Sequence, residues 1–140
     1  MALAQSKQII ALDVGEKRIG VALADSMVRI ASPLVTIPNA QGVLSNIATI
    51  INEHSVGTIV VGLPRNMSGD LTRQAAYCQE FAAKLRQEFS LPVYEQDETL
   101  TSVRAEAELE SRRKKYQKSD IDSLAAVYIL DDFLQNNKDL

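Results

Sequence analysis

The sequence predicts an α/β fold, a five-stranded mixed sheet with helices on both faces. Two apolar runs near the start are joined by a very short connection, which is typical of antiparallel strands. Beyond residue 40, apolar runs alternate with segments whose apolar residues recur at helical spacing, which is typical of parallel strands joined by helices. The chain has 140 residues, 46% of them hydrophobic, so we expect a single domain over residues 1–140, with residues 1–6 as a flexible extension.

Three strands are predicted near the start of the chain. Residues 9–14 form an apolar run, and a tight connection that contains Gly leads to a second run at residues 19–24, so the two form a β-hairpin. Residues 32–37 form the third strand, with Pro33 and Pro38 marking its ends.

Helices and strands then alternate. Parallel strands joined by helices cross over with a right hand, and sequential strands tend to be neighbours, which places the first strand in the centre beside the fourth. The predicted strand order is therefore 3-2-1-4-5, with strand 2 antiparallel. The segments are a helix at residues 41–54, a strand at 58–63, a loop at 64–70, a helix at 71–89 and a strand at 92–96.

The last third of the chain is predicted to be helical. Leu100, Val103 and Ala107 share one face of a helix that leads into a basic segment at residues 112–115. Ser119 has the position of the N-cap of a final helix. The apolar residues that this helix would turn inward are Ile121, Leu124, Ala125, Tyr128, Ile129 and Phe133.

The composition argues against several classes of protein. The net charge of -3 is unlike that of a polybasic nucleic-acid binder, and the single cysteine, Cys78, excludes an internal disulfide and a multi-cysteine zinc site. No apolar run approaches the roughly 20 residues of a membrane span, and the N-terminus lacks the apolar run of a signal peptide. We therefore expect a cytoplasmic protein with no membrane partner.

Acidic residues stand where predicted strands end. Asp13 lies within an apolar run, where a carboxylate is costly to bury unless a cation or hydrogen-bond donors meet it. Asp97 and Glu98 follow the fifth strand, and the carboxyl ends of strands in α/β sheets usually hold the ligands. Structural roles are also open, because Asp13 could bond to turn amides and the dipole of a following helix favours acids before it.

Asp122 has two interpretations. In the segment 119–122 it has the position of the acid in a capping box, where it would serve a backbone amide. Ala125 and Ala126 lie one turn later, and such small residues would let the first turn approach the sheet and bring Asp122 near Asp13. Capping and function are about equally supported by these residues.

Carboxylates that converge at one sheet edge repel each other, and a divalent cation removes that conflict. A set of oxygen ligands without Cys or His favours Mg²⁺ or Mn²⁺ over zinc. Two such ions about 3.5–4 Å apart, with substrate bound, can activate a water and stabilise the leaving oxygen of a phosphodiester. The acids therefore predict a metal site suited to phosphodiester hydrolysis.

Basic and polar residues near these acids are candidate contacts to a nucleic-acid backbone. Phosphate contacts supply much of the affinity for nucleic acid, although a solvated loop explains any one of these side chains as well. The candidates are Lys17 and Arg18 in the hairpin, Arg65 and Asn66 in the central loop, and Arg112, Arg113, Lys114, Lys115 and Lys118 before the final helix.

Four segments lie in order along the chain, DVGEKRIGVA at residues 13–22, VGLPRNMSG at 61–69, DETLTS at 97–102 and DSLAA at 122–126. They resemble the motifs of the YqgF family of Holliday junction resolvase-like proteins and pre-16S rRNA nucleases. The resemblance implies an RNase H-like nuclease whose catalytic, metal-binding acids are Asp13, Glu98 and Asp122. It implies cleavage of the 5′ end of pre-16S rRNA, or of branched DNA, and leaves Asp97 and Asp120 as further candidate ligands.

Thr99 departs from the family pattern, which usually has Arg after the acid pair, and Arg65 is the candidate substitute. This departure supports one alternative, a non-catalytic RNA- or ribosome-binding module. The acid-x-Gly hairpin also resembles that of the sugar kinase and actin ATPases, but those proteins close two lobes on a nucleotide and this chain has one.

The expected partners are an rRNA precursor or branched DNA, and ribosomal particles. We expect a monomer or a weak homodimer, since a two-fold junction calls for a dimer.

Overall fold

The computed structural model describes residues 7–64, 72–98, 107–111 and 118–138, which form one five-stranded sheet and its covering helices. The strands are β1 (Gln8–Val14), β2 (Arg18–Asp25), β3 (Ser32–Pro38), β4 (Val56–Pro64) and β5 (Val93–Glu98). The long helices are α1 (Val43–His54), α2 (Arg73–Glu88) and α3 (Lys118–Asn136).

The strand order is β3-β2-β1-β4-β5. Strand β2 is antiparallel to both β1 and β3, whereas β4 is parallel to both β1 and β5. The predicted order 3-2-1-4-5, with an antiparallel strand 2, is confirmed. Strand β1 is therefore central, and its carboxyl end lies at the same edge of the sheet as those of β4 and β5.

The two faces of the sheet have separate apolar cores, because side chains alternate along each strand. On one face, Leu12 of β1 belongs to a cluster with Ile47 of α1 and Phe81 of α2. On the opposite face, Ala11 of β1 belongs to a cluster with Ile129 of α3. Helices therefore cover both faces, as predicted, and α3 covers the second one.

Helix α3 lies close to the sheet and is held at its C-terminal end. A Cβ on Gly62 of β4 would lie 2.4 Å from Cδ1 of Ile129, so this glycine makes room for the helix. Arg29, in the β2–β3 loop, donates from Nη2 to the carbonyl oxygens of Leu134 (2.8 Å) and Asn137 (2.7 Å). These bonds serve carbonyl groups that the end of a helix leaves without intrahelical partners.

Most element boundaries differ from the prediction by one or two residues, and two of these differences concern the site. Strand β5 continues past residue 96, because its parallel pairing with β4 extends as far as the pair of Pro64 and Glu98. Helix α3 begins at Lys118, so Ser119 lies inside the helix and is not its N-cap. The acid pair thus belongs to the sheet itself and does not follow it.

Some predicted segments lie outside the described residues. These are residues 1–6, the central loop from residue 65 to 71, and the part of the predicted helix that contains Leu100 and Val103. Residues 107–111 are helical. Within the described ranges, no helix is both long and apolar enough to cross a membrane.

Candidate active site

Asp13 lies at the carboxyl end of the central strand, on the face covered by α3. Its side chain has the same parity along β1 as Ile9 and Ala11, which belong to the core beneath α3. It is half-buried, and Gly20 of β2 lies directly opposite it in the antiparallel pair. The cross-strand neighbour of this carboxylate therefore has no side chain.

The N-terminal part of α3 uses the space that Gly20 leaves. A Cβ on Gly20 would lie 2.0 Å from the carbonyl oxygen of Asp122 and 2.2 Å from its carbonyl carbon. The predicted close approach of this helix to the sheet is confirmed, and Ala125 and Ala126 are fully buried there. Because Gly20 faces Asp13, this approach brings Asp122 beside Asp13.

Arg18 forms an ion pair with Asp122. The Nε atom of Arg18 donates to Oδ2 of Asp122 at 2.7 Å, and the two side chains are 39% and 21% exposed. The capping-box interpretation of Asp122 is wrong, because α3 begins at Lys118 and the carboxylate accepts from a side chain of β2.

Asp13 is held in an environment that opposes its ionisation. Burial, and after it the charge of Asp122, raises the pKa of Asp13 from 3.8 to about 7. A divalent cation beside the carboxylate would favour its charged form and reverse this shift. The oxygen donors of Asp13 and Asp122 therefore fit a hard divalent cation such as Mg²⁺ or Mn²⁺.

The raised pKa predicts that, without metal, the protein loses stability as the pH rises from about 4 to about 7. In this window the unfolded chain releases the Asp13 proton while the folded chain retains it, and above it the folded chain holds a buried charge. We expect Asp13→Asn to remove this loss, which is at most about 4 kcal/mol for a shift of about three pKa units. Urea unfolding of both proteins in EDTA at pH 5 and pH 8 measures the part of this loss that falls above pH 5, about 2.7 kcal/mol. Equal pH dependence in the two proteins would contradict the prediction.

Glu98 lies on the same face of the sheet as Asp13 but further along its edge. Tyr94 of β5 contacts Phe133 of α3, and Glu98 has the same parity as Tyr94. The Glu98 side chain is buried. The pairings through β4 place it two strands and two residues from Asp13, a separation of about 12 Å between Cα atoms.

The structure brings together two of the three predicted catalytic acids. In the part of the chain that the structure describes, no group of three His, Cys, Asp or Glu side chains is placed to hold a metal ion. Asp13 and Asp122 are neighbours, whereas Glu98 stands apart from them. The assignment of all three as ligands stays a prediction.

The other candidate residues fall into two groups. Asp97 is exposed and, by the alternation of β5, points away from the face of Asp13, while Asp120 is exposed in the first turn of α3. Lys17 is exposed in the hairpin beside Arg18. Outside the described residues lie Thr99, Arg65, Asn66, Arg112, Arg113, Lys114, Lys115 and the side chain of Lys118.

Side chains that the sequence analysis did not single out hold the turn after Asp13. Gln74 of α2 donates from Nε2 to the carbonyl oxygen of Val14 at 2.8 Å. Asn39 donates from Nδ2 to the carbonyl oxygen of Gly15 at 2.7 Å and to the Tyr77 hydroxyl at 2.8 Å. Their only sequence signal was polarity at the ends of predicted elements, which turn formation explains equally well.

An open cleft adjoins Asp122. It has a volume of about 400 Å³ and is lined by Gly15, Glu16, Lys17, Arg18, Gln74 and Asp122. A larger groove of about 490 Å³ lies between β3 and α1, on the face away from Asp13. The smaller cleft is therefore the one in which a ligand would meet both Asp122 and the basic hairpin.

Residues 7–136 match the family described as "RuvX: Holliday junction resolvase". This chain belongs to the RuvX family. The finding confirms the YqgF resemblance stated from the sequence motifs. The match includes every described residue of the RuvX site, from the hairpin at β1 and β2 to helix α3.

Two curated relatives carry the same name. The chain is 42% identical to a protein of Roseiflexus sp. (strain RS-1) over 136 residues, covering 94% of this chain and 96% of the relative. It is 46% identical to a protein of Chloroflexus aurantiacus (strain ATCC 29366 / DSM 635 / J-10-fl) over 131 residues, covering 90% and 85%. Both relatives are named "Putative pre-16S rRNA nuclease".

Solved structures of RuvC share the fold. T. thermophilus RuvC in complex with a Holliday junction substrate superposes with a TM-score of 0.53 at 13% identity, covering 93% of this chain and 95% of RuvC. The similarity at this level of identity concerns the fold, and it confirms the predicted RNase H-like architecture.

Proposed function

We propose that this RuvX protein is a nuclease that hydrolyses phosphodiester bonds with divalent metal ions and matures the 5′ end of pre-16S rRNA. The observation that carries the proposal is the pair of Asp13 and Asp122, adjacent at the carboxyl end of the central strand, with the pKa of Asp13 raised. The name of the curated relatives supports rRNA as the substrate. Processing of rRNA would place the protein in the cytoplasm, acting on ribosomal particles.

The acids supply the metal-binding part of the site. Asp13 and Asp122 would hold an ion between them, with Glu98 as the third ligand when substrate completes the site. When bound, Mg²⁺ or Mn²⁺, as two ions with substrate present, supplies an activated water and stabilises the leaving oxygen. Asp13 must lose its proton to act as a ligand, so we expect the affinity for metal to rise with pH through about 7.

The hairpin supplies the phosphate-binding part of the site. Lys17 and Arg18 line the same cleft as Asp122, so a backbone phosphate in the cleft would lie between basic and acidic groups. The bonds from Asn39 and Gln74 fix the carbonyl groups of the turn and so orient this hairpin. Arg65, Asn66 and the basic residues before α3 are proposed to extend the contact.

Branched DNA is the second candidate substrate. The family description names a Holliday junction resolvase, and the proposed chemistry is the same for DNA and RNA. The two functions differ in geometry, because resolving a two-fold junction calls for two active sites and hence a dimer. Trimming of RNA needs only one site.

A cleavage assay on two substrates tests the proposal. Labelled precursor rRNA and a synthetic four-way DNA junction are incubated with the protein in Mg²⁺, in Mn²⁺ and in EDTA. We expect metal-dependent cutting of the precursor rRNA. Cutting of the junction alone would support the resolvase, whereas binding of RNA without cutting of either substrate would support a non-catalytic module and overturn the proposal.

A further inference from the structure

The ion pair between Arg18 and Asp122 occupies part of the proposed metal site. The guanidinium donates from Nε to Oδ2 of Asp122 at 2.7 Å, so one oxygen of a candidate ligand is bound to a positive group of the protein itself. Arg18 and Gly20 lie two residues apart on β2, on the same face as Asp13. The Arg18 guanidinium and the carboxylates of Asp13 and Asp122 therefore lie within one small region.

Asp122 cannot move away from this region to make room for an ion. Its carbonyl group sits where the side chain of Gly20 would be, so the backbone of α3 is fixed against β2 at this point. Its side chain reaches solvent with only 21% of its surface. An ion held by both Asp13 and Asp122 would therefore share the Asp122 carboxylate with the guanidinium that now contacts Oδ2, and the two positive groups would repel each other.

The Arg18 side chain has access to the open cleft beside Asp122. Its side chain is 39% exposed and lines the open cleft together with Lys17 and Gln74. A guanidinium presents several donors in a plane that matches the oxygens of a phosphate. Once released from Asp122, Arg18 could bind a phosphate in the cleft without a change in the backbone of the hairpin.

We propose that the Arg18 guanidinium neutralises the Asp122 carboxylate when no metal is bound, and that it moves to a backbone phosphate when metal binds. Metal and nucleic acid would then each strengthen the binding of the other. The inference rests on the proposed function and adds a positioning role for Arg18 within it. It also makes Arg18 a competitor of the metal in the absence of nucleic acid, a property that a residue which only binds phosphate would lack.

Titration of the protein with Mn²⁺ by calorimetry, without nucleic acid, tests the competition. Arg18→Gln is expected to bind Mn²⁺ about tenfold more tightly than the wild type, because a positive charge in contact with the ligand oxygen is removed. Lys17→Gln is the matched control, since it makes the same change of net charge in the same hairpin at an exposed side chain. Its effect on Mn²⁺ affinity should be less than about threefold.

A second titration tests the coupling. With a saturating cleavage-resistant phosphorothioate RNA, the wild type is expected to bind Mn²⁺ more tightly than without RNA, and Arg18→Gln is expected to lose most of that gain. Arg18→Lys keeps the charge without the planar donors, so it should retain the low Mn²⁺ affinity of the free wild type while losing part of the gain. Circular dichroism of each variant verifies that it folds.

The opposite sign would overturn the inference. If Arg18→Gln binds Mn²⁺ no more tightly than the wild type, Arg18 orients Asp122 for the metal and does not compete with it. If the wild type cuts RNA and Arg18→Gln shows no gain in affinity for Mn²⁺, this inference is wrong and the nuclease proposal stands. If Arg18→Gln gains affinity for Mn²⁺ but the wild type cuts neither substrate, the nuclease proposal alone is wrong. Absence of Mn²⁺ binding in the wild type and in every variant would overturn both.

Discussion

Asp13→Asn is expected to lower metal-dependent cleavage by more than about 100-fold. Loss of a group that merely supports a metal ligand costs about 10- to 100-fold, and Asp13 is proposed to contact the ion directly. The amide keeps the shape of the side chain but cannot supply the negative charge that holds a divalent cation. Initial rates on the substrate that the wild type cuts, at saturating Mg²⁺ and pH 8, measure the effect.

The stability of the same variant should change in the opposite direction. Without metal at pH 8, Asp13→Asn removes a half-buried charge on a carboxyl group whose pKa is raised to about 7, so the variant should unfold at a higher urea concentration than the wild type.

Glu88→Gln, at the exposed end of α2, is the matched control for the cleavage assay and should leave the cleavage rate unchanged. Cleavage within about threefold of the wild-type rate in Asp13→Asn would remove this acid from the proposed mechanism.

Gly20→Ala is expected to destabilise the fold by about 3 kcal/mol or more and to abolish cleavage. The new Cβ would lie 2.0 Å from a backbone oxygen and 2.2 Å from a backbone carbon of α3, and no side-chain rotation relieves such a contact. The helix must therefore retreat, which exposes part of its apolar face and carries Asp122 away from Asp13. Urea unfolding gives the loss of stability, and the assay on rRNA gives the loss of activity.

Gly57→Ala is the matched control for this variant. Gly57 is also a strand residue, but the atoms that its Cβ would meet belong to the side chain of Lys7, an exposed residue that can turn aside. We expect its effect on the free energy of unfolding to stay below about 1 kcal/mol. If the two alanine variants are equally stable, α3 does not lie against Gly20 as closely as the structure shows.

The fold was predictable because its signals are local. A short Gly-containing connection between two apolar runs indicates a hairpin, and helical periodicity between the later runs indicates parallel strands. The handedness of the crossovers then leaves few orders for the sheet, and the observed order is the predicted one. The end of β5 was missed because pairing with β4, a tertiary effect, carries the strand on to Glu98.

The site was predictable only in part, because its contacts join distant segments. Arg18 and Asp122 are 104 residues apart, and no local pattern indicates that they meet. Gly20 did carry a signal, since a glycine inside a strand often marks the close approach of another backbone. That signal does not say which segment approaches, so the proximity of Asp122 rested on Ala125 and Ala126.

Helix α3 contributes two things at once: the apolar cover of one sheet face and, in Asp122, one of the two adjacent acids. A chain that lacks this helix would leave one face of the sheet uncovered and would hold only Asp13 of the acid pair. The acid pair, and with it the proposed metal site, can therefore form only after α3 has been synthesised and has docked on the sheet.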